Sequence, residues 1–536
     1  MKHEQRRFAR AVMLGTTSLV LLALAWRALA VTDPLLATTD TGLVRGALAD
    51  DVVSFKGIPL AQPPVGNLRW RAPQPAKHWS GARAATAYGP DCAQEPFPGD
   101  AAPLGVPAQE DCLYINVWTP AQRSAAKLPV MVWIYGGGFV NGGSSPSVYD
   151  GTAFAKDGVV LVSFNYRLGH FGFFAHPALT AEQAGGLLGN YALMDQVAAL
   201  RWVKQNAAAF GGDPRNVTIF GESAGGISVH ALMTSPVAAG LFHKAIVQSG
   251  GGRPGLFGAR PVSGGPDSGD AKGLAFAKKF GIEGTDAEAL RKLRAIPAES
   301  LWKGFNMMSM GRDATYAGGP LVDGKLVVGA PSTLYASGQG ARVPLMIGAT
   351  NMDIGFMQGA TLDELFAQFG PNAAKARAVY SPGGSGDVRA VAFRMGGDQT
   401  MAEPVRHIAR ILSARGQPVY QFRFSYVAES QRKTVPGAPH ATDIPFAFDT
   451  VAARYGKDLT AADAAAARAM HRYWIAFAKS GVPRVAGQPE WPVYAAASDP
   501  IMDFTNDGPK SGPDSWRSRL DLAEALSTRH EQPAAH

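Results

Sequence analysis

Continuous apolar runs alternate along this chain with segments whose apolar residues recur at helical spacing. The runs at 128–135 and 158–164 are rich in β-branched residues and do not alternate with polar ones, a pattern typical of parallel strands buried on both faces. Further strands are predicted at 217–220, 244–248, 344–348 and 419–424.

A helical segment separates the second and third of these strands. Its apolar face consists of Leu193, Val197, Leu200 and Val203, and Gly211-Gly212 ends it. Strands that alternate with helices favour an α/β fold with a large, mostly parallel central sheet and helices on both faces. No linker or repeat interrupts residues 40–505, so we expect one domain over 31–536.

Two segments do not fit the alternation. Residues 250–273 are rich in Gly, Pro and Ser, which predicts a long surface loop. Residues 510–536 are polar and predict a C-terminal tail with a short helix near 516–526.

The chain begins with a segment unlike the rest. A basic start over 1–10 precedes an apolar run of sixteen residues at 11–26, and Ala28-Leu29-Ala30 has the small-x-small pattern of a signal-peptidase site. We therefore predict a signal peptide over 1–30, cleaved after Ala30. The alternative is an uncleaved membrane anchor, for which sixteen residues are short against the ~20 that a span requires. The prediction places the protein in a secreted or periplasmic location, without a stable membrane anchor, by the general secretory or twin-arginine route.

Composition and charge exclude several classes of protein. Of 536 residues, 46% are hydrophobic and 18% are charged, so the chain can bury a large core and is neither disordered nor a coiled coil. Half of the net charge of +8 lies in residues 1–30, which leaves 46 basic against 42 acidic residues in the remainder. Such a balance shows no basic patch for nucleic acid. The sequence does not indicate an oligomeric state.

The chain has two cysteines, Cys92 and Cys112. An exported protein meets an oxidising environment, so we predict a disulfide between them. The alternative is a pair of buried thiols. Two cysteines also exclude a four-cysteine metal site.

A candidate nucleophile lies in Gly221-Glu222-Ser223-Ala224-Gly225, between the strand at 217–220 and a helical run at 227–233. A serine on a tight strand-to-helix turn projects its hydroxyl from the sheet, and small flanking residues make room for the sharp backbone. The helix N-terminus behind it favours developing negative charge.

A candidate oxyanion hole follows the strand that ends near residue 135. Gly136, Gly137 and Gly138 let backbone N–H groups approach a ligand without side-chain interference. We expect the N–H groups of Gly137, Gly138 and Ala224 to donate hydrogen bonds to the oxygen of a tetrahedral intermediate. The G-x-G-x-x-G frame fails at Asn141 and no P-loop motif occurs, so nucleotide binding is disfavoured.

Taken together, the local motifs resemble the type-B carboxylesterases of the α/β-hydrolase fold, the group that includes the cholinesterases. The resemblance spans about residues 40–500. It rests on FKGIP at 55–59, PPVG at 63–66, LRW at 68–70, EDCLYINV at 110–117, NYRLG at 165–169, FGGDP at 210–214, FGESAGG at 220–226 and WPVY at 491–494.

The resemblance implies the partners of Ser223. GAPH at 437–440 is similar to the family's histidine loop, which makes His440 the general base. The family usually carries Glu at the position of the acid, where this chain has Asp353. Asp323 and Glu364 are the alternative acids if Asp353 only caps a loop.

Two neighbours of these residues are candidates for supporting roles. Glu222 beside the nucleophile is expected to be buried and able to tune the site, and Ser249 is expected at a strand end that faces it. Met307, Met308 and Met310 either line a pliable pocket or pack in the core.

These features predict a serine esterase that needs no metal and no cofactor and acts on a small-molecule ester. The same residues also suit hydrolysis of amides, lactones or thioesters, and a binding protein on this fold is a remote alternative. Activity should fall near pH 6–7 as His440 gains a proton, if its pKa is ordinary. The loop from Cys92 to Cys112 has Phe97 as its only aromatic residue and lacks the tryptophan of cholinesterases, so we expect little selectivity for choline esters.

Overall fold

The computed structural model describes residues 33–122, 127–254, 260–383 and 386–531. Its main feature is one sheet of eleven strands. In chain order these are β1 Ala47–Ala49, β2 Val52–Pro59, β3 Tyr114–Pro120, β4 Leu128–Ile134, β5 Val160–Phe164, β6 Gly212–Glu222, β7 Lys244–Gln248, β8 Leu345–Thr350, β9 Val419–Phe424, β10 Pro500–Thr505 and β11 Gly508–Pro513.

The strand order across the sheet is β11-β10-β9-β8-β7-β6-β4-β5-β3-β2-β1. The strands from β10 to β5 are parallel to their neighbours, and the flanking strands at both edges pair antiparallel. Parallel strands need crossover connections, which explains why long helical segments separate them in the sequence. The predicted α/β-hydrolase fold, with its large and mostly parallel sheet, is confirmed.

Helices pack on the two faces of this sheet. In chain order they are α1 Thr152–Lys156, α2 Gly169–Gly172, α3 Pro177–Glu182, α4 Tyr191–Asn206, α5 Ala224–Thr234, α6 Gly269–Lys279, α7 Ala287–Arg294, α8 Glu299–Trp302, α9 Pro331–Ser337, α10 Leu362–Ala367, α11 Ala373–Tyr380, α12 Val388–Gly397, α13 Glu403–Ala414, α14 Ile444–Phe448, α15 Val451–Tyr455, α16 Ala461–Ser480 and α17 Arg517–Glu531. No helix in the described ranges is both long and apolar enough to cross a membrane.

The central strands are buried on both faces. Every residue of β5, β7, β8 and β9 is buried, as the unbroken apolar runs predict. The helix predicted from Leu193 to Val203 is α4, and a short 3-10 turn extends it to Gly211, which adopts a left-handed φ of 81°.

Two predictions about surface segments differ from the structure. Helix α6 begins at Gly269, inside the stretch predicted to be a loop to residue 273, because Ser268 accepts a hydrogen bond from the Ala271 N–H as its N-terminal cap. The short helix predicted near 516–526 is present as α17, which is longer than predicted, whereas the start of the predicted tail forms the strand β11. Leu520, Leu522 and Leu526 are buried in α17, a spacing too sparse to register as an apolar run.

Cys92 and Cys112 form a disulfide that closes a loop over a sequence separation of 20 residues. The loop borders the carboxyl ends of the central strands, where Phe97 and its neighbours line a cavity described below. The bridge therefore restrains a segment that borders the candidate site.

Replacing both cysteines by alanine should lower the free energy of unfolding by about 3 kcal/mol, because the unfolded chain regains the entropy of the open loop. Urea denaturation of the wild type and the double variant measures this. Wild type reduced with dithiothreitol and kept reduced is the matched control and should be destabilised to a similar extent. A difference below about 0.5 kcal/mol would contradict the prediction.

Candidate active site

Ser223 lies on a tight turn between β6 and α5. Its backbone has φ 56° and ψ −122°, a strained combination for a residue with a side chain. Gly225 makes the turn possible, since a Cβ there would lie 2.0 Å from the carbonyl oxygen of Ile134 on the neighbouring strand. The Ser223 N–H donates to the Gln248 carbonyl (2.9 Å), and the side chain faces a cavity.

His440 and Asp353 are in direct contact although 87 residues separate them. His440 Nδ1 lies 2.6 Å from Asp353 Oδ1. The other carboxylate oxygen accepts a hydrogen bond from Ser249 Oγ at 2.6 Å and one from the Thr350 N–H at 3.1 Å. Burial alone would raise the pKa of Asp353, but His440, the Ser249 hydroxyl and the Ile354 N–H outweigh it, so that pKa lies below its ordinary value.

The two alternative acids lie elsewhere. Asp323 Oδ1 accepts backbone N–H groups from its own turn, those of Lys325, Leu326 and Val327. Glu364 is exposed and accepts from the Ala360 N–H. Neither contacts His440.

Asn351 holds the histidine loop close to Asp353, and the sequence motifs did not predict this contact. Its Oδ1 accepts from the Ala438 N–H (2.7 Å), and the next residue, Met352, donates its N–H to the Ala438 carbonyl (3.1 Å). A polar amide directly after a buried strand was the available signal. These two hydrogen bonds bring His440 within reach of Asp353.

Glu222 also faces His440. Its side chain is 3% exposed, and Oε1 lies 3.2 Å from His440 Nε2. Burial raises the pKa of Glu222 to about 8. Burial lowers the pKa of His440, but the charged carboxylates of Glu222 and Asp353 outweigh burial and raise it above its ordinary value. This increase is smaller when Glu222 carries a proton, and the neutral imidazole is then available as a base.

A further carboxylate near the histidine, that of Asp443, is buried and was not predicted from the sequence to belong to the site. Asp443 Oδ2 accepts from Gln248 Nε2 at 2.7 Å, and Gln248 Oε1 accepts from Trp474 Nε1 at 3.3 Å. Burial raises the pKa of Asp443 to about 6. Asp443 therefore adds a third acidic group near His440.

The glycines after β4 form a turn beside Ser223. Gly137 and Gly138 have left-handed φ values of 103° and 63°, and a Cβ on Gly137 would lie 2.3 Å from the Asn141 carbonyl oxygen. Ala224 is buried at the start of α5. These are the positions proposed from the sequence for the oxyanion donors.

A cavity of roughly 180 Å³, partly open to solvent, lies beside Ser223 and the glycine turn. Gly137, Ser223, Glu222 and His440 line it from the strand ends. Phe97 from the disulfide loop and Met307 line it from outside, while Met308 is exposed. The site can thus hold a small molecule against Ser223, His440 and the carboxylate of Glu222.

The described residues also contain a group that could ligate a metal, Glu403, His407 and Glu524. Arg253 pairs with Glu403, and Arg406 and Arg410 pair with Glu524. These cations compete with a metal ion for the carboxylates, and the group does not line the cavity.

Comparison with known proteins identifies the family. The family model for the Carboxylesterase family matches residues 33–515. The chain belongs to the carboxylesterase family. It is similar to the fumonisin B1 esterase of Sphingopyxis macrogoltabida, with 35% identity over 92% of this chain and 89% of that protein. It is also 35% identical to the para-nitrobenzyl esterase of Bacillus subtilis, over 85% of this chain and 92% of that protein.

A solved structure of PNB esterase shares the fold, with a TM-score of 0.77 and 32% identity over 91% of this chain and 99% of that chain. These findings make this carboxylesterase a carboxylic-ester hydrolase, as predicted. The roles of the individual residues go beyond the comparisons and are argued below.

Replacing Glu222 by glutamine should lower the pKa of His440, because an adjacent negative charge favours the imidazolium. Because Glu222 Oε1 lies 3.2 Å from His440 Nε2, loss of its charge should weaken proton binding by His440 about tenfold or more. NMR titration of the His440 ring protons measures it. Glu288→Gln, at an exposed position that does not line the cavity, is the control and should leave the His440 titration unchanged. An unchanged pKa in Glu222→Gln would contradict the assignment.

Proposed function

We propose that Ser223, His440 and Asp353 form a catalytic triad that hydrolyses carboxylic esters through an acyl-enzyme. The observation that carries the proposal is the 2.6 Å contact of His440 Nδ1 with Asp353 at the edge of a cavity that Ser223 also lines. The order Ser, Asp, His along the chain is that of α/β-hydrolases.

In the first step Ser223 Oγ attacks the ester carbonyl and His440 Nε2 takes its proton. Asp353 keeps the proton on Nδ1 and stabilises the imidazolium that forms. His440 then gives the proton to the leaving alcohol, and water attacks the acyl-enzyme with His440 again as base. The carboxylic acid leaves and Ser223 regains its proton.

The N–H groups of Gly137, Gly138 and Ala224 stabilise the oxyanion in both steps. Gly137 lines the cavity beside Ser223, and Gly138 and Ala224 directly follow Gly137 and Ser223 in the chain, which supports this role. Glu222 tunes the proton affinity of His440, and Ser249 holds Asp353.

We infer further that the chain acts as one domain over 31–536 after export and removal of residues 1–30, which lie outside the described residues. The oxidised pair Cys92 and Cys112 supports a secreted or periplasmic location.

Replacing Ser223 by alanine should abolish hydrolysis of p-nitrophenyl acetate and butyrate, with kcat lower by about four or more orders of magnitude. Single-turnover and steady-state assays measure this. Ser480→Ala, at the exposed end of α16, is the control and should keep full activity. Loss of less than about tenfold in Ser223→Ala would overturn the proposed nucleophile.

Replacing Asp353 by asparagine should lower kcat by about 10⁴-fold, because the histidine loses its tautomeric partner. Asp323→Asn is the matched control at an acid that does not touch His440 and should retain activity. Full activity in Asp353→Asn together with loss in Asp323→Asn or Glu364→Gln would reassign the acid.

Butyrylcholine and its uncharged analogue 3,3-dimethylbutyl butyrate should be hydrolysed with kcat/KM values within about threefold of each other. The disulfide loop offers Phe97 to the cavity and no tryptophan to bind a quaternary ammonium. A preference for the cation of about thirtyfold or more, worth about 2 kcal/mol, would contradict this.

A further inference from the structure

Asn141 lies three residues after Gly138 and is 1% exposed. Its backbone N–H donates to the Gly137 carbonyl at 2.9 Å, which closes the turn of the oxyanion glycines. The side chain, however, points to two other segments of the chain. It therefore joins this turn to parts of the molecule that are distant in sequence.

One of those segments is the disulfide loop. Asn141 Nδ2 donates to the Glu95 carbonyl at 2.7 Å and to Gln94 Oε1 at 3.2 Å. Gln94 is itself buried, and it holds the next residue of the turn from both sides: its Oε1 accepts from the Gly142 N–H (2.8 Å), and its Nε2 donates to the Gly142 carbonyl (2.6 Å). The same Nε2 donates to the carbonyl of Cys92 at 2.9 Å.

The other segment carries the methionines. The Met307 N–H donates to Asn141 Oδ1 at 2.8 Å. Met307 and Met310 pack against Gly138, where an added Cβ would lie 3.2 Å from the Met310 sulfur. The amide of Asn141 thus uses its oxygen and its nitrogen to hold the glycine turn between two loops.

We propose that Asn141 and Gln94 are positioning residues that hold the N–H groups of Gly137 and Gly138 in the geometry that binds the oxyanion. This rests on the proposed function, in which those groups stabilise the tetrahedral intermediate. Glycines at left-handed φ have little conformational restraint of their own, so the turn needs fixed neighbours. Gln94 does not line the cavity. Asn141 does, but its amide oxygen and nitrogen are bound to Met307, Glu95 and Gln94, so it acts through the turn rather than on the ester.

The test compares two ligands that differ in whether they carry an oxyanion. An alkyl trifluoromethyl ketone is attacked by the serine and forms a tetrahedral adduct with a negatively charged oxygen. The matching alkyl methyl ketone binds in the same cavity and stays trigonal. A residue that positions the oxyanion donors affects the first ligand and not the second.

Asn141→Ala should weaken the trifluoromethyl ketone by about 10- to 100-fold and lower kcat/KM for p-nitrophenyl butyrate by the same factor, since small misplacement of such donors is costly. Its affinity for the methyl ketone should stay within about threefold. Gln94→Ala, which leaves the contacts of Asn141 with Glu95 and Met307 in place, should change the same quantities in the same direction by a smaller factor. Gln94→Ala serves as the test if Asn141→Ala does not fold.

Asn190→Ala is the matched control. Asn190 is buried and bridges two segments through the same kinds of bonds, from its Nδ2 to the carbonyls of Leu188 and Leu321 and from the Leu321 N–H to its Oδ1. It does not line the cavity, so its loss should lower stability and leave both ketone affinities unchanged.

Equal weakening of both ketones in Asn141→Ala, or no weakening of either in a folded variant, would overturn the inference. If wild type does not hydrolyse the ester, or Ser223→Ala still does, the proposed function itself fails. The two failures are therefore distinguishable.

Discussion

The parallel register of four strands is the constraint on which the site depends. Glu222 at the end of β6 pairs with Gln248 at the end of β7, and Gln248 pairs with Gly348 in β8. On the other side Gly221 pairs with Ile134, the last residue of β4. Because parallel strands present their carboxyl ends at one edge, the segments that follow them meet there. A shift of one residue would turn each side chain to the other face.

Three residues at the same edge have a strained backbone. Ser223, Ser249 and Ala441 all have left-handed φ values, of 56°, 46° and 65°. Such conformations cost of order 1 kcal/mol or more each and persist only where the surroundings enforce them. The buried strands provide that support, since β6 and β7 are packed on both sides by other strands. The turn at Ser223 presents its side chain to the cavity, and the turn at Ser249 brings that hydroxyl to Asp353.

The electrostatics of the site follow from its burial. Glu222, Asp353 and Asp443, which are all buried, surround His440, whose side chain is 18% exposed to the cavity. Burial raises the pKa of Glu222 and of Asp443, whereas Asp353 stays charged because His440 and Ser249 hydrogen-bond to it. A proton on Glu222 removes its attraction for the imidazolium, so the two groups titrate together. The pKa values of the three carboxylates therefore shift in different directions, because their surroundings differ.

The sequence by itself determined the central strands, the serine turn, the glycine turn and the histidine loop, since each depends on local pattern or local motif. It left Asp353, Asp323 and Glu364 open as acids, because which carboxylate meets His440 depends on how loops from different strands pack. Only the tertiary structure revealed the supporting contacts of Asn351, Asp443, Gln94 and Asn141, because each has a partner that lies tens to hundreds of residues away in the sequence. It also decided that residues 508–513 form a strand and that the helix predicted near 516–526 reaches residue 531, because the few apolar residues there gain stability only when packed against the rest of the protein.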